Sequence, residues 1–418
     1  MDADLLVIGA GAAGIAAARA AIAAGRSVRV LEARGRPGGR ALTDAASLGA
    51  PFDLGATWMH AAERNPLVPL ARDLGIALED ADRRRREVTF VGARRVTEAE
   101  DAAYGAAWSA FDAAVAARAA QDPDIPAADA APRGGPWDAT VAAWQGDVIS
   151  AWPLSRMSLH DYQANLLEGT NLLPAGGYGA LVARLAQGLP ITLDAPVERL
   201  RWGGGEAVAE GPFGTLRARA AICTVPTPLI AAEAMRFDPP LPAAVMEAAH
   251  GLPLGHAIKV GLRAAGADRL GLPDNCSTDR RISPGEALIP ITFWPGGHDH
   301  ATGWIGGPLG EEIERAGDAA AEALVREEIA ARLGTSAPHA FRPGAVVSRW
   351  ARDPFSRGAY SHARVGAAGA RRLLATPLAD GRLIFAGEAC HAEGLAGTVG
   401  GAWFTGEAAA RAAIAAFA

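Results

Sequence analysis

Close to the start of the chain a short apolar run, Leu5-Leu6-Val7-Ile8, leads directly into Gly9, Gly11 and Gly14. A brief, uninterrupted run of this kind suits a strand buried on both faces of a parallel sheet. The alanine-rich segment Ile15 to Ala24 follows as a strong helix former, Gly25 stops it, and Ser27-Val28-Arg29-Val30-Leu31 reads as a second strand ending at Glu32. The unit is β-α-β. Its G-x-G-x-x-G spacing has a physical meaning at this place. The first glycine makes the tight turn, the second lets backbone approach a pyrophosphate, and the third lets the helix pack close to the strand. The helix N-terminus then meets the phosphate charge. Glu32 follows Gly11 by 21 residues, where a carboxylate can accept hydrogen bonds from a ribose. Strand, helix, second strand and acid fall in register, so Gly9, Gly11, Ala13, Gly14 and Glu32 are expected to hold a dinucleotide.

The rest of the composition bounds what surrounds that unit. A chain of 418 residues, half of them hydrophobic, predicts two or more globular units with sizeable cores. A net charge of −6 without long basic blocks argues against nucleic acid as the main partner. The exception, Arg83 to Arg86, reads as a solvated face or a lattice of surface ion pairs. Cys223, Cys276 and Cys390 are odd in number, far apart and without C-x-x-C spacing, which indicates neither a disulfide framework nor a zinc knuckle and fits a reducing, cytoplasmic setting. The apolar stretch Leu5 to Gly25 is preceded by acidic residues and interrupted by glycines and Arg19, so no membrane segment is expected there. Gly297-His298-Asp299-His300 has too few ligands at recognisable spacing for a metal site. The oligomeric state is left open.

Residues after Glu32 narrow the nucleotide. Ala33-Arg34-Gly35-Arg36-Pro37-Gly38-Gly39-Arg40 adds a second glycine pair and well-placed arginines. An arginine beside the acid could hold the 2′-phosphate of NADP. The pattern Glu-Ala-Arg-x-x-x-Gly-Gly-Arg resembles instead the glutathione-reductase-type FAD fold of the flavin amine oxidase family. That resemblance implies that Glu32, Ala33, Arg34, Gly39 and Arg40 hold the FAD diphosphate and ribose. Asp53-Leu54-Gly55-Ala56-Thr57-Trp58-Met59-His60, then Asn65-Pro66, resembles the family's next signature. It implies that Gly55, Ala56, Thr57 and Trp58 pass beside the isoalloxazine.

From about Pro69 to Asn171 the pattern is mostly helical, broken by the Pro/Ala/Asp-rich stretch Gln121 to Pro136. Asp161 and Glu168 are acids that could face a cationic substrate, although an acid in a helical region is more often solvated. Leu173-Pro174-Ala175-Gly176-Gly177-Tyr178-Gly179 resumes the resemblance. Pro196-Val197-Glu198-Arg199-Leu200 resembles the strand whose valine meets the adenine, and Ala221 to Pro226, with Val225, the passage back to the nucleotide domain. Lys259 lies in an alternating segment, Gly255 to Leu262, that suggests a half-buried strand. It is the only lysine among 40 basic residues. In the family the lysine of this motif hydrogen-bonds through a water to flavin N5. Glu311 to Leu333 reads as one amphipathic helix.

Trp350-Ala351-Arg352-Asp353-Pro354-Phe355-Ser356-Arg357-Gly358-Ala359-Tyr360-Ser361 closely resembles the W-x-x-D-P-F-S-R-G-S-Y-S motif of polyamine oxidases and lysine-specific histone demethylases. Leu383 to Glu388, with Gly387 and Glu388, looks like the strand and acid that bind the ribityl and phosphate region. Gly397-Thr398-Val399-Gly400-Gly401-Ala402 opens a last helix, whose N-terminus would face N1 and C2=O of the flavin through Thr398, Val399 and Ala402. Where monoamine oxidases attach flavin to a cysteine this chain has Ala359, which implies non-covalent FAD. Of the two tyrosines that frame the amine in those enzymes, the first matches Tyr360 and the second is replaced by Thr398. His60, in a Trp-x-His setting similar to polyamine oxidases, is expected near the substrate.

The resemblance implies an α/β architecture: a discontinuous, glutathione-reductase-type Rossmann domain for FAD at 1–68, 173–240 and 345–418, interleaved with an α+β substrate-binding domain at 69–172 and 241–344. It implies an FAD-dependent amine oxidase, nearest in motifs to the polyamine oxidase branch. Lys259, Tyr360, Thr398 and His60 would be its catalytic residues, and an amine and O2 its small-molecule partners. A flavin desaturase or dehydrogenase acting on carbon–carbon bonds shares the N-terminal motifs without requiring Tyr360 or the lysine. An L-amino-acid oxidase on the same fold would need an arginine aimed at the substrate carboxylate.

Overall fold

The computed structural model describes residues 1–417. In the first of its two large sheets the strand Ala3–Ile8 is central, with Gly214–Cys223 parallel on one side, Val28–Leu31 parallel on the other and Ile191–Thr192 beyond. The apolar run is buried on both faces, as its lack of alternation requires. Leu5 and Val7 enter the core shared with the helix Ala12–Ala23, whereas Leu6 and Ile8 enter a second core with Leu200, Cys223 and Phe385. Gly214–Cys223 changes partner along its other edge. Its first half pairs antiparallel with Ala207–Gly211 and its end pairs parallel with Leu383–Phe385. Arg199–Arg201 and Arg236–Asp238 complete the antiparallel side.

Alanine and glycine let the helix Ala12–Ala23 lie against the last helix, Val399–Ala415, at backbone contact. A Cβ on Gly406 would run into the carbonyl of Ala13. This close crossing brings the N-terminal ends of both helices to the wall of one cavity, at Gly11 to Ala13 and at Thr398 and Val399.

The second sheet has seven strands in the order Phe341–Val347, Ala257–Ala264, His300–Gly306, Ile291–Phe293, Cys276–Arg280, Arg86–Val91 and Arg94–Arg95. Ile258, Val260, Leu262, Cys276 and Ile291 pack on one side against Val325 and Ile329 of the helix Asp318–Leu333. The opposite side presents Lys259, Thr302, Trp304, Thr292, Ser277 and Asp279 to the cavity.

Four expectations about local structure need correction. The region 69–171 is not simply helical: Leu78–Asp80, Arg86–Val91 and Arg94–Arg95 are strands. Arg86–Val91 is held by parallel pairing with the distant Cys276–Arg280, a tertiary partner that local sequence does not report. The segment 311–333 is two helices, Gly307–Ala316 and Asp318–Leu333, parted at Gly317, whose φ of 101° no helix accommodates. The strand around Lys259 is buried on both faces rather than one, because Leu48 and Phe52 cover Gly261 on the side opposite the core. The strand read at Pro196–Leu200 is confined to Arg199–Arg201. The arginine run, by contrast, lies in surface ion pairs, Arg83 with Asp80, Arg84 with Glu79 and Arg85 with Glu87. No helix among the described residues is long and apolar enough to cross a membrane.

Candidate active site

The two sheets and their connecting loops enclose a cavity of about 1580 Å³. Drug-sized ligands occupy roughly 300–1,000 Å³, so a dinucleotide and a separate substrate can share this space. At one end the two glycine loops meet back to back. Gly38 N donates to Ala10 O at 2.8 Å, and a Cβ on Gly39, whose φ is +58°, would press on the Gly11 Cα at 3.3 Å. No side chain caps the helix Ala12–Ala23, which leaves its first N–H groups for a ligand phosphate. Glu32 is buried. Its Oε2 accepts from Ala10 N at 2.7 Å and its Oε1 from Arg34 N at 2.9 Å, which fixes the carboxylate at the cavity wall. Arg34 is committed elsewhere. It pairs with Asp353 at 2.6 Å, donates to Ser356 at 2.8 Å and lies over the Phe355 ring, so the W-x-x-D-P-F-S segment neutralises the arginine that a 2′-phosphate would need.

A second buried network stands further along. Arg40 bridges Glu388 at 2.8 Å and Ala359 O at 2.7 Å. Ser361 Oγ donates to Glu388 at 2.5 Å and accepts from Arg371 at 2.8 Å. Burial pushes the Glu388 carboxyl up, but Arg40, the Ser361 hydroxyl and Arg371 together outweigh it and hold the group below the usual range. Arg371 in turn grips Asp161 with two bonds of 2.7 and 2.9 Å. Asp161 is therefore neither solvated nor free to face a substrate. It is a buried counterion, and its oxygens also accept from the Ala363 backbone amide and the Asn165 side-chain amide. Glu168 is exposed at the cavity wall. Arg371 was missed by sequence reasoning, since no motif marks an arginine whose partner lies 210 residues away, and Ser361 was placed in its motif without a role.

Lys259 rises from its strand into the turn that follows Phe52. Its Nζ donates to Asp53 O at 2.9 Å, to Gly55 O at 2.5 Å and to Thr57 Oγ1, and it sits 5.4 Å from the Trp304 ring centre. All three ammonium protons thus fasten one short segment. Burial lowers the lysine to about 8 from its ordinary 10.5, with Asp53 opposing the shift. Trp350 braces the same segment, its Nε1 donating to Leu54 O at 2.8 Å. Asp53, whose role sequence reasoning did not assign, receives Tyr178 N and Gly179 N and so caps the helix Tyr178–Leu185.

Trp58, His60, Tyr360, Gly397 and Thr398 also line the cavity, the Trp58 and His60 rings 5.9 Å apart and Gly397 against the Tyr360 side chain. Trp58 is 43% exposed on that wall. Tyr360 is fixed by donating its hydroxyl to Ile149 O at 2.8 Å, and burial keeps it neutral by raising its pKa. Thr398 caps the last helix, accepting from Gly401 N at 3.0 Å and donating to Leu395 O at 2.7 Å. His60 Nδ1 lies 2.7 Å from Asn171 Oδ1, and the Asn171 amide nitrogen is turned to Asp82. Asp82 therefore sets the amide orientation, the amide oxygen accepts a hydrogen bond from Nδ1–H, and Nε2 is left as an acceptor. Burial lowers the His60 pKa and favours that neutral ring. Gly9, Ala33, Val197, Val225, Gly387, Val399 and Ala402 also line the cavity, whereas none of the three cysteines does.

The family model for flavin-containing amine oxidoreductases matches residues 12–414. The chain belongs to this family. It is 30% identical over 446 residues to polyamine oxidase 4 of Oryza sativa subsp. japonica, across 97% of this chain and 88% of that protein. It is 26% identical to lysine-specific histone demethylase 1 homolog 2 of Arabidopsis thaliana, across 97% of this chain and 57% of that one. A putrescine oxidase solved with putrescine superposes with a TM-score of 0.82 at 21% identity, covering 99% of each chain. Cyclohexylamine oxidase from Brevibacterium oxydans gives 0.82 at 19%, with the same coverage. The fold is that of the FAD amine oxidases, the chain is a flavin amine oxidase, and its cofactor is FAD. The uncapped helix, the glycine cradle and the buried Glu32 and Arg40–Glu388 groups fit that cofactor.

Proposed function

We propose that this flavoenzyme oxidises primary or secondary amines of the polyamine class with O2 as acceptor, using non-covalent FAD. The observation that carries the reading is the convergence of Lys259, the Gly55–Trp58 backbone, Tyr360 and Thr398 on one cavity whose arginines are almost all spent. Arg34, Arg40, Arg84, Arg85 and Arg371 each face an acid, and Arg357 is exposed. An amino-acid carboxylate therefore has little to bind, while an amine has acids and aromatic rings around it. The lack of a cavity cysteine supports non-covalent attachment.

When bound, FAD would supply the two-electron acceptor for the hydride of the amine α-carbon and would pass those electrons to O2 as hydrogen peroxide, the resulting imine being hydrolysed to a carbonyl compound and an amine or ammonia. The chain's own residues prepare this step. Tyr360 offers a ring face held still from behind by Ile149, and Trp58 and His60 close the other side. A cation cannot lose hydride readily, and the neutral His60 leaves Nε2 able to accept a proton from the arriving ammonium. Lys259 holds the Asp53–Thr57 segment against the reacting space and keeps a positive charge there. The 69–172 and 241–344 segments are proposed to shape the substrate side, with the remainder holding FAD. Anaerobic mixing of the flavin-loaded protein with amines should bleach the flavin absorbance, and readmitting air should restore it with peroxide. Bleaching by unsaturated carbon substrates or amino acids in place of amines would overturn the proposal.

A further inference from the structure

Building on the reading of this cavity as an amine site, we propose that Asp279 binds a second protonated nitrogen of the substrate and so selects long linear polyamines over monoamines. Asp279 stands on the strand Cys276–Arg280 and is only 7% exposed, yet it lines the cavity. Its Oδ2 accepts from Tyr104 OH and Trp144 Nε1, both at 2.8 Å. Its Oδ1 accepts from no described residue. The buried carboxylates Asp161, Glu328 and Glu388 each have an arginine within 4.0 Å, and Asp279 has none. The nearby arginines are committed elsewhere: Arg280 pairs with Glu328, Arg85 with Glu87, and Arg332 serves Thr278, Ile289 and Glu328. A buried carboxylate held by two neutral donors, with one oxygen aimed into a cavity, is an unfinished ion pair.

The surroundings suit an ammonium. Tyr104, Trp108 and Trp144 line the same part of the cavity, with ring centres 6.2 Å apart for the first pair and 6.5 Å for the second. Aromatic faces attract cations, and the Trp144 ring already draws the Arg85 guanidinium to 6.0 Å. The sheet register then sets the length of the ligand. Lys259 pairs with Trp304, Trp304 N bonds Pro290 O, and the Thr278–Ile291 pairing places Asp279 opposite Pro290. Lys259 and Asp279 thus share one row across the sheet, three strand spacings apart, or about 14 Å. An amine oxidised beside Lys259 reaches Asp279 only through a chain of several methylenes, as in a triamine.

The test compares spermidine with hexylamine on the flavin-loaded enzyme and its Asp279→Asn variant, which keeps an acceptor for Tyr104 and Trp144 and removes the charge. The expected result is a roughly 30-fold or greater fall in kcat/KM for spermidine, carried by KM, with hexylamine within about twofold of wild type. Spermidine affinity measured by titration calorimetry should weaken in parallel. An unchanged spermidine kcat/KM, or an equal fall for both amines, overturns the proposal and leaves the oxidase reading intact. The wild type alone offers a check that needs no variant: it should prefer spermidine by about tenfold or more, and a preference for hexylamine overturns the subsite. Should no amine be oxidised, the oxidase reading fails. Calorimetry then decides the site by itself, with spermidine binding lost in Asp279→Asn supporting it and equal binding in both proteins overturning it.

Discussion

Lys259 Nζ lies 2.5 Å from the carbonyl oxygen of Gly55, joining the second sheet to a turn of the signature that follows the nucleotide motif, 204 residues earlier in the chain. The ammonium is buried and fully bonded, so it anchors that turn and leaves a positive charge at the cavity wall, proposed to lie beside the reacting space. Replacing it with methionine keeps the volume and removes the charge and three donors. Lys259→Met should slow flavin reoxidation by O2 by roughly a hundredfold through loss of the preorganised positive charge, the scale of losing one such electrostatic contribution. Stopped-flow measurement of both half-reactions checks this, and wild-type rates in both would show the lysine to be incidental.

The same residue predicts a pH dependence. Its pKa in the folded protein, about 8, is below the ordinary 10.5. The charged form is present below about 8, so reoxidation should decline as pH rises through that value and be flat in Lys259→Met. Stability runs the other way. A depressed pKa means the unfolded chain binds the proton more tightly, so this site's contribution is complete above 10.5 and is lost as pH falls through about 8. Thermal melts at pH 7 and pH 9 should therefore differ more for wild type than for Lys259→Met.

Asp161 and Arg371 form a buried, two-bonded pair beneath Ser361 and Glu388. Removing one partner strands the other charge, a loss of about 3–5 kcal/mol. Asp161→Ala should lower the melting temperature sharply without changing selectivity among amines that still turn over. A selective loss of polyamine activity at unchanged stability would instead return Asp161 to the substrate.

These residues show what a sequence can disclose here. The spacing of Gly9, Gly11, Gly14 and Glu32 reports backbone geometry within one local unit: Gly9, Gly11 and Glu32 line the cavity, Gly14 packs against Gly9 off its lining, and the two glycine loops meet. Lys259, Tyr360, Thr398 and His60, named from separate motifs, line one cavity. Asp279 and Arg371 carry no local pattern. Their meaning depends on Tyr104 and Asp161, 175 and 210 residues away, and such pairings exist only once the sheets assemble. The strand Arg86–Val91 was hidden for the same reason, its order coming from a distant neighbour. The split at Gly317 was readable in principle, as a glycine within a helical pattern.

Arg40 joins Glu388 to Ala359 at the centre of the proposed flavin cradle. Arg40→Ala removes the first of the charges that hold the Glu388 carboxyl ionised, leaving Ser361 and Arg371 against its burial. The expected outcome is purification with substoichiometric flavin and weakened rebinding of FAD, read from absorbance after gel filtration. Glu388→Gln, which keeps the shape and removes the buried charge, should retain more flavin than Arg40→Ala.

Tyr360 separates two contributions that a single substitution would confuse. Its ring lines the cavity and is proposed to wall the substrate space, while its hydroxyl is bonded to Ile149 O. Tyr360→Phe keeps the wall and leaves that carbonyl without its donor, so stability should fall by about 1 kcal/mol and kcat/KM should remain within a few-fold of wild type. Tyr360→Ala removes the ring itself and should lower kcat/KM by roughly tenfold or more, since the amine loses the face that orients it. If phenylalanine proves as damaging to turnover as alanine, the hydroxyl and not the ring is what the reaction uses, and the wall assignment fails.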